Sequence, residues 1–118
     1  MKHLYISILL VFSLIACSKK KALPPEVLNK KEMINLIVEL EINQAIYKIR
    51  FANRDSINYQ DLIDHSFKKL NTSQEQFNSS LTYYARHPKD MEEIFSKAIT
   101  QLTQDQAKIQ QKKHKEEE

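Results

Sequence analysis

Hydrophobic residues fall into a continuous run at the start of the chain, followed by four segments of helical periodicity separated by polar or proline-containing breaks. Leu4 to Ala16 is apolar except for Ser7 and Ser13, with Tyr5 as an amphipathic ring. The first periodic segment is the longest, from about Glu26 to Phe51. At about 100° per residue, Met33, Leu36, Ile37, Leu40, Tyr47 and Phe51 share one face. Ile34, Val38, Ile42, Ala45, Ile46 and Ile49 share the opposite face. Glu39, Asn43 and Arg50 form one polar strip between them, and Glu41 and Lys48 form the other. Pro25 and Glu26 suit a helix start, so this segment predicts a helix over 26–51. A helix that is apolar on two sides is either central to its own domain or shared with a partner. Ile34, Val38, Ile42 and Ile49 are therefore the candidate partner-binding face.

Three shorter helices follow. Asn53 to Ser56 reads as a loop, and Tyr59, Leu62, Ile63, Phe67 and Leu70 then make one stripe. Asn71 ends that helix, and Thr72 with Glu75 is spaced as a capping box for the next. Phe77, Leu81 and Tyr84 are the third helix's buried stripe, Phe77 being expected in the core, with Tyr83 turned away. His87-Pro88 stops it, and Pro88 opens a fourth helix with Met91, Ile94, Phe95, Ala98, Ile99 and Leu102 on its apolar face. Beyond Leu102 only Ile109 is large and apolar, so 103–118 is expected to be a fraying, solvated polar extension; a helical arm that orders on a partner is the alternative. The predicted fold is all-α: a small bundle of about four helices, one long and three shorter, over 26–102.

The opening run changes the address of this domain. Lys2 and His3 give it a basic start, and it closes on Leu14-Ile15-Ala16-Cys17, which supplies the single cysteine. That sequence resembles the lipobox of bacterial lipoproteins, cut just before the cysteine. The run is too short for a transmembrane helix, which needs about 20 apolar residues. The expectation is a signal peptide over 1–16 and a lipid-modified Cys17, whose thiolate takes the diacylglyceryl group. A tether follows over 17–25, with Lys19, Lys20 and Lys21 beside the bilayer. Each buried methylene contributes about 0.8 kcal/mol, so two or more acyl chains anchor stably without a membrane span. The predicted location is the cell envelope, lipid-anchored on the periplasmic side of the outer membrane. Acidic residues just after the cysteine accompany surface export in the lipoproteins that this segment resembles; here lysines stand instead.

Composition narrows the rest. Without Lys2 the chain carries 17 basic and 15 acidic residues, too balanced to argue for nucleic acid. Glycine is absent, which disfavours phosphate-cradling loops and tight hairpins but not helices. A single cysteine leaves no internal disulfide, so the apolar core must suffice. Asp61 and His65 lie four apart, a spacing that can share a metal but does not complete a site. Gln44 falls among the residues of the first apolar face and is read as a satisfied core amide. No catalytic residue, metal site or cofactor is assigned. His87 is the least poor catalytic candidate, and a helix cap or surface hydrogen-bonding role suits it better.

Phe77-Asn78-Ser79-Ser80-Leu81-Thr82-Tyr83-Tyr84, followed by His87-Pro88 and Met91 to Phe95, resembles a family of small helical lipoproteins from Bacteroidota, domain-of-unknown-function family 4296. The likeness covers about Pro24 to Leu102 and is distinctive from Phe77 to Pro88. Where members carry a glycine before the third helix, this chain has Asn71, which can take the same left-handed conformation. The resemblance implies a helical fold and an envelope address, and no activity. Three classes of function follow: a binding or assembly module anchored through Cys17, with a protein partner or self-association; a purely structural envelope lipoprotein; and, least supported, an enzyme.

Overall fold

The computed structural model describes residues 22–116; Cys17, the signal-like run and the lysines of the tether lie outside them. Four helices follow one another: α1 Lys30–Ala52, α2 Tyr59–Lys69, α3 Gln74–Ala85 and α4 Pro88–Glu116. The all-α bundle is as the periodicity predicts, with one change of proportion. Two helices are long, α1 with 23 residues and α4 with 29.

Each start has a local cause. Pro25 and Glu26 form a turn rather than the first helical residues, and α1 begins only at Lys30. Asn29 is its cap: Asn29 Oδ1 accepts from Glu32 N–H at 2.9 Å, and Glu32 Oε2 accepts from Asn29 N–H at 2.8 Å. This reciprocal pair satisfies two backbone donors that a helix start leaves open. Asn58 caps α2 through Gln60 N–H, so the helix opens on Tyr59, the first residue of its stripe. Ser73, not Thr72, caps α3 through Gln76 N–H; the Thr72 hydroxyl instead donates to Gln76 Oε1. Asn71 has φ 52°, the left-handed conformation that lets the chain leave α2, and Arg54 has φ 60° in the turn after α1. α4 continues as one helix through the polar segment expected to fray, and its side chains there are almost all exposed.

The core is built around the first half of α1. Met33 and Leu36 are fully buried, Ile37 and Val38 nearly so, with Phe67, Tyr84, Ile94 and Ala98 from the other helices. α1 packs on α2 along one side and on α4 along another. Asn43 Nδ2 donates to Ser66 Oγ at 2.6 Å, and Ser66 passes its own hydrogen to Leu62 O. Lys69 pairs with Glu39 at 2.8 Å, so the last turn of α2 lies beside the middle of α1 and the two run antiparallel. Lys30 bridges Asp90 at 2.7 Å and also Glu93, which sets the first turns of α1 and α4 side by side.

α3 closes the bundle through the peptide of Leu28. Ser80 Oγ accepts from Leu28 N–H at 2.8 Å and donates to Gln76 O at 2.7 Å. Tyr84 Oη donates to Leu28 O at 2.8 Å. Both side chains are sealed from solvent, Ser80 at 0% and Tyr84 at 1% exposure. Buried backbone groups outside a helix need such partners. The Phe77 ring, expected at the centre of the α3 stripe, is only half-buried and leans on Phe67 at 6.3 Å. The larger anchor of α3 is Tyr84.

Replacing Ser80 with Ala leaves the Leu28 N–H buried without an acceptor and should cost about 1–3 kcal/mol in urea unfolding, and Tyr84→Phe a similar amount through the carbonyl. Lys30 and Lys97, donating to Glu93, hold its carboxyl down at about 2, from an ordinary value of 4.5. The Glu93 contribution to stability is therefore complete above that ordinary value and lost as pH falls through the folded-state value. Between about pH 5 and about pH 3 at low salt, the urea midpoint of the wild type should drop further than that of Glu93→Gln.

Candidate functional site

The candidate face on α1 is divided by the packing of its neighbours. Ile34 is half-buried against the core, and Val38 is buried at 5% exposure. Ile42 is 38% exposed and Ile49 63% exposed. Val38 is therefore a core residue rather than part of an open strip. The open portion is the second half of α1, where Ile46 joins Ile42 and Ile49. Lys30, Asp90 and Glu93 hold the start of α4 beside the first turn of α1, the covered end of the helix.

The other faces also differ from the simple stripes. Phe51, read on the same face of α1 as Met33 and Leu36, is exposed and stacks on Tyr47 at 5.7 Å. Tyr47 in turn meets Tyr59 at 5.0 Å. On α4, Ile94 and Ala98 are buried, whereas Phe95 and Ile99 point outward. The buried amide of α1 is Asn43, assigned to a polar strip; Gln44 is half-buried. The apolar stripe could not reveal Asn43, because its acceptor on Ser66 comes from another helix.

Two concave regions lie elsewhere on the bundle. An open cleft of about 590 Å³ lies between the turn at Pro24 and Val27 and the outer side of α3, where Asn78, Tyr83, Arg86 and His87 line it. His87 stacks on Tyr83 with ring centroids 4.3 Å apart, and its Nδ1–H donates to Tyr83 O at 2.8 Å. That hydrogen bond caps the end of α3, which leaves only Nε2 of the ring for any other contact. The Tyr83 ring is half-buried and meets Tyr84 edge-on. A smaller groove of about 300 Å³ runs between α2 and α3, lined by Leu40, Tyr59, Ile63, Phe67 and Phe77.

Asp61 and His65 are both exposed on α2, and among the described residues no group of three metal-binding side chains comes together. Among the described helices none is long and apolar enough to cross a membrane. What the arrangement offers is surface: an apolar patch on α1 with Glu41 and Lys48 exposed along one flank.

The two halves of the face separate by substitution. Val38→Glu buries an unpaired carboxylate and should abolish cooperative folding or lower stability by several kcal/mol, whereas Ile49→Lys should leave the thermal midpoint nearly unchanged. Circular dichroism melts of both variants check this.

Comparison with known proteins gives one match. Residues 24–108 fit the family model described as Domain of unknown function (DUF4296). Neither the curated proteins nor the solved structures contain a match.

Proposed function

We propose, from the premise that the chain belongs to the family Domain of unknown function (DUF4296), that it is a lipid-anchored docking module of the cell envelope. Cys17 carries the lipid, the lysine-containing segment tethers it on the periplasmic side of the outer membrane, and the bundle presents the second half of α1 to a helix of another polypeptide. The observation that carries this reading is the division of α1. A helix whose first half forms the core leaves Ile42, Ile46 and Ile49 in solvent, in line with one another. Clustered apolar residues on one exposed helix face mark interaction sites more than scattered ones do. An amphipathic helix laid along such a face is a recurrent recognition mode.

The anchor supports the docking role physically. Pro24, at the edge of the described residues, is seven residues after Cys17. An extended chain of that length spans about 25 Å at most, so the bundle works within a shallow layer above the bilayer. Confinement to that layer raises the effective concentration of any partner held in the same membrane, which lets a modest apolar patch suffice.

Metabolic labelling with a palmitate analogue tests the anchor. Label on the wild type and none on Cys17→Ser is expected, with the variant accumulating as unprocessed precursor; equal labelling ends the anchoring proposal. In-cell cross-linking tests the surface. Ile49→Lys should lose the cross-linked adducts of the wild type while remaining folded and anchored, and unchanged adducts would remove the α1 face from the proposal.

A further inference from the structure

The occupant of this face can be argued from the face itself. Ile42, Ala45 and Ile49 recur at steps of three and four, the spacing of a seam between two helices. The residue at its middle is Ala45, small and exposed, which allows two backbones to approach closely. Glu41 and Lys48 each stand one position before a seam residue, so both lie on the same flank of α1. Both are exposed, and among the described residues neither has an ion-pair partner.

We infer that the partner on this face is a second copy of the chain, paired antiparallel along α1 about a two-fold axis at Ala45. The inference rests on the docking role proposed above. In an antiparallel pair the same flank of each helix meets, so Glu41 of each copy lies opposite Lys48 of the other. The two-fold axis repeats that pair twice. The two Ala45 residues meet at the axis, Ile42 of each copy packs beside Ile49 of the other, and Ile46 of both is withdrawn from water. A parallel pairing in register would instead bring opposite flanks together and set Glu41 of each copy beside Ile46 of the other, with no partner for the charge. The charge order along the flank, acidic before the centre and basic after it, therefore selects the antiparallel form. The geometry also suits two anchored copies. With the two-fold axis along the membrane normal, both tethers point to one bilayer, and the starts of the two α1 helices stand about 45 Å apart.

Sedimentation equilibrium of the full chain in detergent micelles, with circular dichroism to verify folding, decides the matter. The wild type should show a monomer–dimer equilibrium. Glu41→Lys and Lys48→Glu should each weaken it about tenfold, because each turns two attractive pairs into two repulsive ones. The double reversal Glu41→Lys with Lys48→Glu should restore the wild-type constant, and Ile49→Lys should abolish the dimer. A wild type that stays monomeric overturns the inference, as does a double reversal no better than the single changes. If the monomer persists while Ile49→Lys still loses its cross-linked adducts in cells, self-pairing falls and the docking role stands; a dimer that Ile49→Lys leaves intact overturns the pairing register.

Discussion

Everything in this fold depends on a constraint set by α1: one helix with apolar residues on opposite faces must be covered by three helices that bring one stripe each. α2 covers one side through Glu39 and Asn43, using an ion pair and a buried amide rather than apolar contact alone. α4 covers another, but only where its first turns are held by Lys30. Past Val38 this cover ends on the face of Ile42 and Ile49, while Leu40 and Tyr47 on the other face still pack on the bundle. The uncovered Ile42, Ile46 and Ile49 are thus a consequence of how many stripes the chain provides. Burying them would need a further helix, and a second chain is the source that the flanking charges favour.

The class of fold and the sequence of helices were legible because both rest on local periodicity and breakers. Asn71 could be read as the left-handed residue ending α2, and it is one. The start of α1 was legible in principle: Asn29 and Glu32 have capping-box spacing, a stronger signal than Pro25, which serves a turn instead. The continuation of α4 was hidden for another reason. Residues 103–116 lack a stripe, and the helix there rests on the intrinsic propensity of Gln, Lys and Ala rather than on packing.

Of the candidate face, periodicity showed the membership but not the coverage. Whether Val38 is core or surface depends on how the later helices pack on α1, which contacts such as Lys30 with Asp90 and Glu93 set between positions about 60 residues apart. The same holds for Ser80 and Tyr84, which read as one small polar and one stripe residue. Their shared target, the Leu28 peptide, lies 52 and 56 residues earlier. The distinctive run Phe77 to Pro88 therefore encodes the closure of the bundle and the end of α3, through Ser80, Tyr84 and His87.

The grip on Leu28 has a mechanical meaning. If the chain hangs from a membrane, any pull on the domain arrives along the segment that runs from the tether into Leu28. There the load meets two hydrogen bonds to the middle and last turn of α3 before it meets the first turn of α1. Force is therefore passed sideways into the bundle as shear, and α1 is not peeled open from its N-terminal end. The domain is strapped at the point where its leash attaches.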